Sequence, residues 1–90
     1  MKMKLKEGFI LHKTGSENMM VASGKALKSF NGLVRLNDTA YFIAQQLQKE
    51  TTEEAVIDAV CAEYDAPKEK IASDVKKVIE KFRSEGFLDE

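Results

Sequence analysis

The apolar residues of this chain change their spacing near residue 36, and this change limits the fold classes open to it. Before that point, short apolar runs at residues 8–13, 19–22 and 33–36 alternate with turn-forming residues, a pattern typical of strands. After it, apolar residues recur every three or four positions, which is the spacing of amphipathic helices. This order predicts an α+β fold in which three N-terminal antiparallel strands precede three helices.

Residues with capping chemistry set the predicted helix starts. Asn37 or Asp38 can cap the first helix, because both side chains accept hydrogen bonds from free backbone amides. Thr51 and Glu54 fit a capping box for the second helix. Pro67 fits the first turn of the third, where its missing N–H is not needed. The third helix carries the clearest apolar stripe, formed by Ile71, Val75, Val78, Ile79 and Phe82.

The length of 90 residues predicts one domain over residues 1–90, and we expect residues 1–6 to form a flexible tail. The single cysteine excludes an internal disulfide. The apolar runs are too short to span a membrane, and the basic start is not followed by the apolar segment of a signal peptide. We therefore expect a cytoplasmic protein that does not bind membranes.

The net charge of −1 conceals an uneven distribution along the chain. Residues 1–35 hold seven basic and two acidic residues, a net charge of +5, whereas residues 36–90 hold seven basic and thirteen acidic ones, a net charge of −6. Two interpretations of this division are open. The two oppositely charged halves attract each other in the folded protein, or they form a surface of divided charge that orients a partner. Nucleic-acid binding driven by overall charge is not expected.

Most catalytic constellations are missing from the sequence. It has one histidine, His12, and one cysteine, Cys61, and the cysteine falls in the middle of a predicted helix, where a buried thiol is usual. Zinc would need more nitrogen and sulfur ligands, and no glycine-rich phosphate loop is present. We therefore predict a binding module that is not an enzyme and that carries no metal and no cofactor.

The third predicted strand and the third predicted helix are the candidate binding elements. A short strand at a sheet edge can accept another chain as an added strand. On the helix, one polar stripe runs beside the apolar one, formed by Lys70, Asp74, Lys77 and Lys81. The stripe is either a solvated flank with weak ion pairs or one wall of a groove for an acidic or polar peptide. Of these four residues, Asp74 lies closest to the buried apolar stripe of the helix. A carboxylate in such a place must be paired with a cation or must receive a ligand.

Two other functions fit the same element order. A small winged-helix domain would insert its third helix into DNA, but this helix mixes acidic residues with its lysines, and the chain has only two arginines. A dimerising interaction domain would pair the free strand edge with a second copy. Both alternatives stay open on pattern alone.

A longer motif carries a family resemblance. Residues 30–40, which end in Leu-Asn-x-Thr-Ala, resemble the strand and helix start of the PqqD family, named after pyrroloquinoline quinone synthesis protein D. Further segments of the family pattern follow in order at residues 51–54, 63–65, 74–75 and 85–88, so the resemblance spans about residues 8–89.

This resemblance implies a winged helix-turn-helix-like fold and a peptide-binding function. The family is similar to RiPP recognition elements, non-catalytic chaperones that bind the leader segment of a ribosomally synthesised precursor peptide. They present it to a modifying enzyme, often a radical SAM protein. The leader would add as a strand to the third strand and pack on the third helix. The implied peptide-binding residues are Leu33, Val34, Arg35 and Leu36 on the strand and Asp74, Lys77, Val78 and Lys81 on the helix.

Overall fold

The computed structural model of the chain describes residues 2–24 and 32–90, so the first two residues of the 30–40 motif lie outside the described residues. The elements in chain order are β1 (Lys4–Leu5), β2 (Phe9–Thr14), β3 (Glu17–Ala22), β4 (Leu33–Leu36), α1 (Asp38–Gln46), α2 (Glu53–Glu63), α3 (Lys68–Ser84) and β5 (Leu88–Asp89). The predicted α+β order of three antiparallel strands followed by three helices is confirmed. The structure adds a second, two-stranded sheet made by β1 and β5.

The main sheet is antiparallel with the strand order β2-β3-β4. Gly15, with a φ of 44°, lies in the tight connection from β2 to β3, a backbone conformation that costs glycine little. Alternate residues of the strands turn one face of the sheet toward the helices. Leu11, Met20 and Val34 form one cross-strand row on that face, and Met20 is fully buried. The sheet thus supplies one wall of the core, with β4 at its edge.

Side-chain caps begin the first two helices. The Asn37 side chain accepts a hydrogen bond from the Ala40 N–H at 2.7 Å, as the sequence predicts. The cap of α2 is Thr52, whose hydroxyl accepts from the Ala55 N–H at 3.1 Å. The prediction of Thr51 is therefore wrong by one residue. The backbone of Thr51 instead pairs with Met3 in an isolated antiparallel bridge.

The end of α3 turns the chain back onto the core. The Phe87 N–H donates to the Phe82 carbonyl at 2.9 Å and the Gly86 N–H to the Arg83 carbonyl at 3.0 Å, which together form a Schellman cap. Gly86 has a φ of 81°, as this cap requires. The Phe87 ring is buried, with its centroid 5.1 Å from that of Phe9 and 5.9 Å from that of Phe82.

The expected flexible tail at residues 1–6 is wrong for the part that the structure describes. Residues 4–5 form β1 against β5, and the side chains of Met3 and Leu5 are buried. The Leu5 N–H donates to the Leu47 carbonyl at 2.8 Å. The partner strand β5 lies at the other end of the chain, so a local sequence pattern around residues 3–5 does not show this pairing.

The core lies between the helices and the inner face of the sheet. Its buried members include Phe9, Met20, Ile43, Leu47, Val56, Val60, Ile71, Val75, Ile79, Phe82 and Phe87. In α3 the buried residues follow the predicted stripe, except that Val78 is only partly buried and lies at the margin of the core.

Candidate functional site: the groove between the edge strand and the last helix

A groove of about 530 Å³ lies between β4 and the C-terminal half of α3. Its size falls in the range of ligand-binding clefts in proteins. It is lined by Leu33, Val34, Arg35, Leu36, Asn37, Ala40, Lys77, Val78, Lys81, Phe82, Glu85 and Phe87. The whole of β4 thus forms one side of the groove. Four residues of α3 and two of its C-terminal turn form most of the other side.

The strand register shows which backbone groups of β4 face the groove side. The Ala22 N–H donates to the Gly32 carbonyl at 3.2 Å, so these two residues form a hydrogen-bonded pair. Hydrogen-bonded pairs recur at every second position of an antiparallel ladder, which makes Met20 and Val34 the next such pair. The backbone N–H and C=O groups of Leu33 and Arg35 therefore point away from β3. Among the residues that the structure describes, no strand pairs with this second edge of β4.

The side chains of β4 alternate between the two faces of the sheet. Val34 and Leu36 point inward and pack against the core, where they form the apolar floor of the groove. Leu33 and Arg35 point to the outer face and are exposed. A strand added along this edge would therefore meet apolar contacts on one face and a leucine and an arginine on the other.

The helical wall of the groove combines apolar and cationic side chains. Val78 and Phe82 continue the apolar floor onto α3. Lys77 and Lys81 lie one turn apart and are exposed, and within residues 2–24 and 32–90 no carboxylate forms a salt bridge with either ammonium group. Like charges at this spacing repel each other, so an anionic group bound between them would relieve the repulsion.

The structure brings seven of the eight predicted site residues to this groove. The seven are Leu33, Val34, Arg35, Leu36, Lys77, Val78 and Lys81. Asp74 is not among the lining residues, and its carboxylate is paired with the Lys70 ammonium at 3.2 Å. The requirement that an Asp74 carboxylate be paired or liganded is thus met within α3 itself.

Five lining residues were not among the predicted site residues: Asn37, Ala40, Phe82, Glu85 and Phe87. Sequence reasoning assigned Asn37 to a cap and Phe82 to the core, and both assignments are correct without excluding contact with the groove. Glu85 continues the series of Lys77 and Lys81 at four-residue spacing, which is the signal that could have found it. Phe87 reaches the groove only because the Schellman cap reverses the chain.

Other chemical groups are scattered over the molecule. His12 is exposed on β2, and Cys61 is half-buried on α2. In the described part of the chain, no three metal-binding side chains lie close enough together to hold an ion. None of the described helices combines the length and apolar character needed to cross a membrane.

One ion-pair cluster joins the end of the chain to α3. The Arg83 guanidinium donates two hydrogen bonds to the Glu90 carboxylate, from Nη2 at 2.7 Å and from Nε at 2.8 Å, and it also pairs with Glu80. The hydrogen bond from Arg83 lowers the pKa of the Glu90 carboxyl. Arg83 is thereby held on the β1–β5 side of α3, away from the groove.

Sequence comparison assigns the family. The family model described as coenzyme PQQ synthesis protein D (PqqD) matches residues 9–88 of the chain. The chain belongs to the PqqD family. The matched span runs from the first residue of β2 into β5 and therefore includes both walls of the groove. No curated protein matches the chain by sequence.

Two solved structures share the fold of this PqqD-family chain. One is TbiB1 in complex with the TbiA(beta) leader peptide, with a TM-score of 0.77 and 17% identity over 96% of this chain and 94% of that one. The other is a lasso peptide synthetase B1 complexed with the leader peptide, with a TM-score of 0.73 and 18% identity over 98% of both chains. At this level of identity the likeness establishes a common fold.

Proposed function

We propose that this protein binds the leader segment of a ribosomally synthesised precursor peptide as a fourth strand on β4 and presents it to a modifying enzyme. The observation that carries the proposal is the edge of β4, where the backbone groups of Leu33 and Arg35 face outward directly beside an apolar groove. An extended peptide satisfies such an edge with its own backbone and uses alternate side chains for the adjoining cleft.

Membership of the PqqD family and the two solved leader-peptide complexes support this function. In the proposal, Leu33 and Arg35 supply backbone hydrogen bonds, Val34, Leu36 and Val78 contact apolar side chains of the leader, and Lys77 and Lys81 attract its carboxylates. Asp74, one turn before Val78, would contact the leader only where the leader extends past the lined part of the groove.

The chaperone is proposed to be non-catalytic, with the reaction performed by a partner enzyme of the radical SAM type that the family resemblance implies. A cytoplasmic location belongs to the same proposal, because that is where a newly synthesised precursor is available. The charge pattern along α3 favours peptide over DNA, since Arg83 is engaged by two carboxylates and Glu85 lies in the groove beside the lysines.

A titration monitored by NMR tests the proposal. The ¹⁵N-labelled protein is mixed with synthetic leader peptides of precursors encoded beside its gene, and the amide shifts of every element are followed. We expect shifts concentrated in β4 and the second half of α3. The amides of β2, which is separated from β4 by β3, should change little and serve as the internal reference. Shifts confined to the β2–β3 hairpin would contradict the proposed site.

Two further experiments test the alternative functions. Self-association through β4 would appear in sedimentation as a dimer that the peptide dissociates. A specific gel shift with duplex DNA would favour the winged-helix alternative.

A further inference from the structure

The outer face of the sheet carries an apolar row that ends at the open edge of β4. Ile10 lies opposite Val21, and Val21 lies opposite Leu33, so the three side chains form one cross-strand row that faces away from the helices. Ile10 is 54% exposed and Leu33 is 51% exposed. These are the two large apolar side chains that stand out as exposed in the described part of the chain, and both belong to this row.

The neighbouring row on the same face ends in a positive charge. His12 lies opposite Met19, and Met19 lies opposite Arg35. On its β3 side Arg35 meets Glu17 at 3.8 Å, and its guanidinium donates no hydrogen bond to any residue that the structure describes. The remaining donors of this guanidinium are therefore available to a group at the open edge.

Side chains directly opposite each other on neighbouring strands have Cβ atoms about 4.5–5.5 Å apart and interact. A peptide strand added to β4 would place one outward side chain beside Leu33 and another beside Arg35, two positions apart along the peptide. An apolar residue at the first position would cover Leu33, and a carboxylate at the second would pair with Arg35. The opposite placement would leave Leu33 beside a charge and Arg35 beside an apolar group.

We propose that this protein recognises side chains on both faces of the bound leader strand. On the outer face it selects an apolar residue opposite Leu33 and an acidic residue opposite Arg35. On the inner face, apolar residues opposite Val34 and Leu36 enter the groove. This inference rests on the proposed strand addition and deepens it, because it specifies the peptide sequence that β4 selects. The required four-residue pattern, opposite Leu33 to Leu36 in that order, is apolar, apolar, acidic, apolar.

A displayed peptide library tests this selectivity. The library keeps valine at the two groove-facing positions and randomises the two outward positions between neutral β-forming flanks. We expect selection to enrich valine, isoleucine or leucine opposite Leu33 and aspartate or glutamate opposite Arg35. An exchange control, in which the selected apolar and acidic residues trade places, keeps composition and charge constant and should bind about three- to tenfold more weakly.

Protein variants assign the preference to individual residues. Arg35→Glu should weaken the selected peptide about three- to tenfold, and the loss should be recovered when lysine replaces the acidic residue of the peptide. Leu33→Thr should reduce the discrimination between the selected and exchanged peptides. Ile10→Thr is the matched control, because Ile10 is exposed in the same row but lies two strands from the open edge.

The possible outcomes separate this inference from the proposed function. Selected peptides that shift the NMR signals of the β4 amides but show no residue preference at the two outward positions would overturn recognition of the outer face. That result would remain consistent with strand addition. Failure of lysine to rescue Arg35→Glu would also overturn recognition of the outer face. A library in which no peptide perturbs β4 would overturn the proposed function together with this inference.

Discussion

Val34 on β4 lies opposite Met20 on β3, and this pairing decides which backbone groups of β4 remain available to a partner. Because Val34 belongs to a hydrogen-bonded pair of the ladder, its own N–H and C=O point into the sheet. Those of Leu33 and Arg35 point to the open edge. The groups of Val34 therefore hold the sheet together. Those of Leu33 and Arg35 have no strand partner among the residues that the structure describes, and they are the groups that we propose bind a peptide strand.

Proline substitutions separate these two sets. Arg35→Pro removes an N–H from the open edge and is expected to leave the fold intact while weakening leader binding at least about tenfold. Val34→Pro removes an N–H that bonds to β3 and should cost about 1–3 kcal/mol of unfolding free energy. Urea denaturation and peptide titration of both variants measure these effects. Arg35→Ala, which keeps the N–H, controls for loss of the side chain, and equal binding by Arg35→Pro and Arg35→Ala would contradict the assignment of the edge.

The edge strand could be predicted from sequence because its evidence is local. A short, mainly apolar run at residues 33–36 lies between a turn-forming Asn-Gly pair at residues 31–32 and Asn37, a good helix cap, so both the strand and the helix start are visible in a short window. The second sheet could not be predicted in this way. β1 and β5 have two residues each and pair across nearly the whole chain, so neither carries a periodic pattern of its own.

All four site residues predicted on the strand line the groove, whereas only three of the four predicted on the helix do. Each position of β4 lines the groove, but on α3 the lining residues begin at Lys77 and exclude Asp74. Both Asp74 and Lys77 belong to one polar stripe in the sequence. Where along α3 the groove begins depends on how the helix crosses the sheet edge, and a helical repeat does not contain that information.

Truncation of the apolar groove wall should weaken binding more than it weakens the fold. Val78 is partly buried and lines the groove, so Val78→Ala should cost less than about 1 kcal/mol of stability but several-fold in affinity for the leader. Val75 on the same helix is fully buried and does not line the groove. Val75→Ala should therefore cost about 2 kcal/mol of stability with little effect on the affinity of the folded protein. A reversed order of the two effects would contradict the proposed wall.

The two groove lysines should act through their charge. Replacing Lys77 and Lys81 by glutamate should weaken an acidic leader about tenfold at low ionic strength, and the loss should diminish near 1 M salt, where charges more than about 3 Å apart are screened. The matched control replaces Lys49 and Lys76 by glutamate, because both lysines are exposed, neither lines the groove, and neither forms a salt bridge with a residue that the structure describes. Fluorescence anisotropy with a labelled peptide measures both pairs. A loss that does not depend on salt would argue against an electrostatic function.

The ion pair between Arg83 and Glu90 predicts a pH dependence of stability. Because Arg83 lowers the pKa of the folded-state Glu90 carboxyl, the pair stabilises the protein above the ordinary carboxyl value of 4.5 and less as the pH falls through the lowered folded-state pKa. Glu90→Gln should therefore reduce the unfolding free energy at pH 7 by no more than about 1 kcal/mol, since the Arg83 and Glu90 side chains remain 40% and 31% exposed and solvent screens their attraction. The difference between the variant and the wild type should shrink in acid. A difference that stays constant down to pH 3 would exclude the carboxylate as its source.

Amide hydrogen exchange of β4, with and without a bound leader peptide, tests strand addition most directly. We expect the N–H groups of Leu33 and Arg35 to exchange quickly in the free protein and to become protected when the peptide binds. The Val34 N–H, already bonded within the sheet, should be protected in both states. Protection that appears on β2, or peptide binding that leaves the exchange of Leu33 and Arg35 unchanged, would contradict the proposal that the leader becomes the fourth strand of this sheet.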